Sequence, residues 1–175
     1  QEEFGMKVSI RRDEELISFE VEAKTTLEAL LSIKTTQDAS LCFSSGCRSG
    51  ICGSCGVLVN GVQKLACANI AQDGDIVEPL ANMPLVRDLV VDMQKAYGFN
   101  KKAKAWQGGE ADGVEISHYE GKINELQSDC ILCSLCYSAC PVYAVNEEFL
   151  GPFALTRVWR YASDKREGAM QAKID

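Results

Sequence analysis

The chain has 175 residues, 46% of them apolar and 25% charged, with nine cysteines and a formal net charge of -7. That acidic balance argues against a nucleic-acid surface, because phosphate binding depends on clustered basic side chains, and no apolar run approaches the length of a membrane span. Nine cysteines are too many for ordinary packing and odd in number, so without a secretory signal peptide they read as ligands in an intracellular redox protein.

In chain order, Gln1–Gly5 carry no argument. Met6–Arg11 and Leu16–Ala23 alternate as half-buried strands joined by Arg12-Asp13-Glu14-Glu15, which predicts a hairpin. Thr25 and Glu28 form a capping box for a short helix, whose apolar stripe of Leu27, Leu30 and Leu31 should cover the sheet. Cys42, beside Phe43, reads as a buried thiol acting as a small hydrophobe.

Cys47, Cys52 and Cys55 stand at C-x4-C-x2-C, the spacing with which plant-type ferredoxins hold a 2Fe-2S cluster, and Cys67 follows after eleven intervening residues. Val57–Val59, the turn pair Asn60-Gly61 and Val62–Ala66 predict a hairpin in which Val59 faces Val62 and Cys55 faces Ala66. Cys67 then returns beside Cys55. Gly46, Ser49, Gly50, Gly53 and Ser54 let backbone amides approach an anionic cluster and donate to its sulfurs. A zinc knuckle at Cys52 and Cys55, or a disulfide, is the alternative, but zinc ordinarily takes two such pairs at comparable spacing.

Asp73-Gly74-Asp75 is a turn, and Ile76–Glu78 a short strand ended by Pro79. The order of strands, helix, cysteine loop and strands is α+β and matches a β-grasp ferredoxin layout. Val86, Leu89, Val90, Met93 and Tyr97 predict an amphipathic helix over Val86–Gly98 that closes this domain. The expected organisation is a 2Fe-2S domain over 6–98, a connector over 99–117 and the start of an α-helical ferredoxin domain over 118–175. Lys101, Lys102 and Lys104 read as a solvated face, with docking of an acidic partner as the alternative. His118, the single histidine, is given no role.

Cys130, Cys133, Cys136 and Cys140-Pro141 form a full C-x2-C-x2-C-x3-C-P run of the bacterial ferredoxin kind. In such runs three cysteines serve one cubane and the fourth serves another. Further on, Leu150-Gly151-Pro152 places proline in the first turn of a helix with Leu155, Val158, Trp159 and Ala162 on its apolar side. No base-nucleophile pair and no glycine-rich phosphate fingerprint stands out, so electron transfer rather than substrate chemistry is expected.

The segments C-R-S-G-I-C-G-S-C-G-V-L-V-N-G-V-Q-K-L-A-C, I-V-E-P-L, V-R-D-L-V-V-D-M and C-I-L-C-S-L-C-Y-S-A-C-P, followed by N-E-E-F-L-G-P, together resemble the iron-sulfur subunit of the succinate dehydrogenase and fumarate reductase family. The resemblance implies a β-grasp 2Fe-2S domain followed by a partial α-helical ferredoxin domain. By position, Cys47, Cys52, Cys55 and Cys67 would hold 2Fe-2S, and Cys130, Cys133 and Cys136 would hold 4Fe-4S. Cys140 would begin a 3Fe-4S site or supply the fourth 4Fe-4S ligand. The family's second cysteine run, which completes both helical-domain clusters, does not occur before Asp175, so a C-terminally shortened chain is expected, with 3Fe-4S only if that run is present in the full protein. The implied partners are a FAD-containing flavoprotein subunit and a membrane-anchor or quinone-reactive subunit. The implied location is the cytoplasmic, inner face of the cell membrane, held there by those partners. A free-standing two-cluster ferredoxin shuttling electrons between soluble partners is the alternative function.

Overall fold

The computed structural model describes residues 5–108 and 113–168; Gln1–Phe4, to which the sequence assigns no role, lie outside them. The chain divides into two compact units, one built from the chain up to Met93 together with Cys133–Ala139, the other from Gln94–Leu132 and the chain from Cys140 onward.

In the first unit the strands are β1 (Met6–Arg12), β2 (Glu15–Val21), β3 (Gly56–Val59), β4 (Val62–Leu65) and β5 (Ile76–Glu78), with helix α1 (Thr26–Thr36) between β2 and β3. They form one mixed sheet in the order β2-β1-β5-β3-β4, in which β1 and β5 are parallel and the other neighbours antiparallel. The α+β fold expected from the sequence holds. The capping box also forms: Thr25 Oγ1 accepts from the Glu28 amide, and the Glu28 carboxylate accepts from the Thr25 amide. Leu27, Ala29, Leu30 and Ile33 of α1 pack with Val8, Ile10, Val57 and Val77 in a single core. Each large side chain so buried contributes about 1.5–3 kcal/mol.

The helix expected over Val86–Gly98 does not form as one element. Its first half is a two-stranded ribbon, β6 (Leu85–Arg87) with β7 (Val90–Val91), and helix α2 begins only at Gln94 and runs to Lys102. The reason is Asp88, at the ribbon's turn with φ +49. Its carboxylate accepts from Arg12 Nε at 2.9 Å and from the Cys42 amide at 2.7 Å, while Leu89 beside it is buried. Those long-range bonds override the local helical periodicity. Arg12 also pairs with Asp38, whose carboxyl the Ser40 hydroxyl and amide hold below the usual range. Cys42 is therefore half-buried and fixed through its backbone to Asp88.

The second unit contains α2, α3 (His118–Ile123), α4 (Glu125–Ser128), α6 (Pro141–Val145) and α7 (Pro152–Ala162); α5 (Leu135–Ser138) belongs to the first unit. Pro152 sits in the first turn of α7, as its sequence position indicates. Tyr97 stacks on Phe153 with ring centroids 6.1 Å apart, and Phe99 meets Tyr143 edge-on at 6.2 Å. Lys102 lies over the Phe99 ring and pairs with Glu148, so it is an anchored part of the basic patch. His118 is exposed at the start of α3, next to the capping residue Ser117.

Asp88 is only 5% exposed and its partner Arg12 17%. Removing one member of a buried ion pair leaves the other uncompensated. Asp88→Ala should therefore lower stability by roughly 2–4 kcal/mol in urea unfolding, less than a fully isolated pair because Asp38 remains for Arg12.

Candidate metal centre

The hairpin that carries the last of the first four cysteines forms in the expected register. Gly56 faces Leu65, Val59 faces Val62, and the Ala66 amide donates to the Cys55 carbonyl at 2.9 Å. Asn60 and Gly61 take φ +52 and +76, the left-handed pair of a tight hairpin turn. Asn60 then locks the turn to the sheet, its side chain donating to buried Asp75 at 2.8 Å and accepting from the Ile76 amide at 2.9 Å. Cys67 is thereby delivered to Cys55, with the two sulfurs 3.4 Å apart.

The loop from Gly46 to Cys55 wraps its amides around sulfur. Cys47 Sγ accepts from the amides of Ser49, Ile51 and Cys52 at 3.4, 3.3 and 3.2 Å. Cys52 Sγ accepts from the Cys47 amide at 3.3 Å and lies 3.0 Å from Ser54 Oγ, and Cys67 Sγ accepts from the Gly50 amide at 3.2 Å. Donors aimed at sulfur favour the thiolate. The Ser49 amide, with the Ser49 hydroxyl and the Cys52 and Ile51 amides, brings the Cys47 thiol down to about 6. Ser54 lowers Cys52, whereas burial raises Cys55. Cys47 and Cys52 are exposed and Cys55 is buried, so the set has a wet side and a dry side. Gly46 is a close-approach glycine: a Cβ there would stand 2.9 Å from both Cys52 Sγ and Ser54 Oγ.

The cysteines of the second run fall in both units. Cys133 and Cys136 lie in the first, Cys136 on α5; Cys130 and Cys140 lie in the second. Leu132 and Ser134 take left-handed φ of +57 and +61, sharp turns on either side of Cys133. Cys140 precedes Pro141 at the start of α6, and its sulfur accepts from the Tyr143 amide at 3.4 Å. Among the described residues no three His, Cys, Asp or Glu side chains are gathered as a single metal ion would require. Sequence reasoning missed what holds the first-unit part of this run, Cys133–Ser138, namely Gly56, Ala81 and Asn82, which carry no metal-ligand signal of their own.

Comparison with known proteins places these motifs. The family of 2Fe-2S iron-sulfur cluster binding domains matches residues 8–98, just over half of the chain. The chain belongs to that family. The 4Fe-4S binding domain family matches residues 126–146. The fumarate reductase iron-sulfur subunit of Mycobacterium tuberculosis is 43% identical over 151 residues, covering 81% of this chain and 61% of the relative. That of Escherichia coli is 41% identical over 160 residues, covering 85% and 64%. The mitochondrial succinate dehydrogenase iron-sulfur subunit 1 of Oryza sativa is 37% identical over 159 residues, covering 85% and 57%. The chain thus spans about three-fifths of the length of these curated relatives. A chain of the Mycobacterium smegmatis Sdh1 complex in the apo form shares the fold, with a TM-score of 0.81 at 24% identity over 93% of this chain and 76% of that one. The resemblance drawn from the cysteine segments is borne out.

Two outcomes are expected. Gly46→Ala should displace Cys52 and lower the iron bound per chain, measured by colorimetric iron assay on anaerobically purified protein. In protein stripped of metal, a depressed pKa means that thiolate accumulates as pH rises through it, so iodoacetamide labelling of Cys47 should level off by about pH 7–8 while that of buried Cys55 is still rising. Mass spectrometry of labelled peptides reads both.

Proposed function

We propose that this chain is an electron-transfer iron-sulfur subunit of a fumarate reductase or succinate dehydrogenase type of complex, with no substrate chemistry of its own. The observation that carries the reading is the amide cradle around Cys47, Cys52, Cys55 and Cys67. Cys47 and Cys52 each donate a backbone amide to the other's sulfur, and the sulfurs of Cys55 and Cys67 lie 3.4 Å apart, a paired layout that suits a binuclear centre where each iron takes two cysteines. The 3.4 Å between Cys55 and Cys67 sulfurs is close to the roughly 3.8 Å edge of a tetrahedral site with metal-sulfur bonds near 2.3 Å. A 2Fe-2S cluster bound there would accept and release one electron. The protein's part is to hold it by four thiolates and to stabilise its charge with the Ser49, Gly50, Ile51 and Cys52 amides, which set its potential.

Cys130, Cys133 and Cys136 are assigned to a 4Fe-4S cluster, with Cys140 either its fourth ligand or the first ligand of a 3Fe-4S centre. The 4Fe-4S family match over 126–146 supports this, as does the cysteine-only donor set. Ser134 adds a further indication: its hydroxyl is buried and, among the described residues, has no partner, a cost of about 1–3 kcal/mol that a sulfur acceptor would offset. The relatives are named as iron-sulfur subunits of fumarate reductase and of ubiquinone-linked succinate dehydrogenase, which supports a multi-subunit complex; the partners we propose in it are a FAD flavoprotein and a quinone-linked anchor. We assign association with the inner face of a membrane to such partners; no helix among the described residues is long and apolar enough to cross one.

Iron, acid-labile sulfide and EPR of the reduced protein test the reading. About six or more irons per chain, with a 2Fe-2S signal that Cys52→Ala abolishes, is the expected outcome. A colourless zinc protein, or a 2Fe-2S signal that survives Cys52→Ala, would sink it. Co-purification with a flavoprotein separates the subunit from a free-standing ferredoxin.

A further inference from the structure

Groups outside both cysteine motifs hold the segment that carries Cys133 and Cys136. Within the first unit, the loop that follows β5 reaches it. The Ala81 amide donates to Ser138 Oγ at 2.9 Å, and the Asn82 side-chain amide donates to the carbonyls of Ser138 at 3.0 Å and Tyr137 at 3.3 Å. The last carbonyls of a helix lack partners inside it, so Asn82 serves the end of α5. Tyr137 and Ser138 are buried beneath these bonds. The floor is Gly56, the residue after Cys55. A Cβ there would lie 3.0 Å from Leu80 Cδ1, 3.2 Å from Leu135 Cδ2 and 3.5 Å from the Cys133 carbonyl oxygen. Backbone adjoining a cysteine of the first motif therefore lies against backbone of a cysteine of the second.

We propose that Asn82 and Ser138 are positioning residues for electron passage. With side-chain-free Gly56 they clamp the Cys133–Cys136 segment onto the hairpin of the first cluster, and so set the separation of the two centres. The inference rests on the two-cluster reading above. In either direction the transfer would take one electron from the reduced centre to the oxidised one, with no bond made or broken and no proton moved. Tunnelling falls steeply with separation, so the clamp governs rate through distance rather than through either potential.

The test uses the full-length protein in its complex, purified anaerobically and reduced photochemically at low potential. Three quantities are read: iron per chain, the line positions of the first cluster's EPR signal, and the enhancement of its spin relaxation by the second paramagnetic centre. Asn82→Asp keeps the size and the tolerance for φ +62 but replaces a donor by an acceptor. Ser138→Ala removes the hydroxyl, and Ser138→Thr restores it. Both Asn82→Asp and Ser138→Ala should keep full iron and unchanged line positions while losing relaxation enhancement and intercluster transfer rate, and Ser138→Thr should behave as wild type. Unchanged relaxation in both variants, with iron intact, overturns the clamp and leaves the two-cluster reading standing. Loss of both clusters together overturns it as well, because the residues would then hold the fold rather than the spacing. A wild-type protein with no second paramagnetic centre overturns the two-cluster reading and the clamp with it.

Discussion

The pairing of Cys55 with Cys67 depends on a two-residue turn in which both residues adopt left-handed backbone. Register in a strand pair is unforgiving, since a slip of one residue exchanges the two faces. Here it would present Ala66 or Ala68 where Cys67 now stands. The turn is not left to its own propensity. Asn60 ties it to Asp75 and Ile76, and β5 is in turn paired with β1, so the position of one sulfur is referred back to the centre of the sheet. The core beneath α1 supplies the rigidity, and the cysteine loop supplies the chemistry.

The loop places three donors on one sulfur and divides its exposure unevenly. Cys47 collects three amides on the wet side, while Cys67, behind it, receives one from Gly50. Buried Cys55 has burial as its leading influence, in the opposite direction from the amides around Cys47. The two halves of the set are therefore electrostatically different before any iron is considered, which is a property of the backbone path and not of the cysteine spacing alone.

Local signals are legible in the sequence wherever the physics is local. The Thr25–Glu28 box, the Asn60-Gly61 turn and Pro152 at the head of α7 each act within a few residues and each sits where expected. The stretch from Val86 to Gly98 departs from its expected helix although its periodicity is genuine, because Asp88 is captured by Arg12 and the Cys42 amide, residues far away in the chain. Gly98, the last residue of the expected helix, lies inside α2, which continues to Lys102. The site divides in the same way. The cysteines announce themselves, but Gly56, Asn82 and Ser138 are an ordinary glycine, asparagine and serine until the backbone they meet is known.

The arrangement of the first four cysteines also bears on biogenesis. Three of them lie within one nine-residue loop, where closure is a fast, local event. The fourth arrives only when the hairpin closes and its turn is tied to β5, a strand whose parallel partner β1 is more than sixty residues away. A nascent chain can thus offer a three-thiolate basket before the sheet is complete, with the final strand acting as a latch.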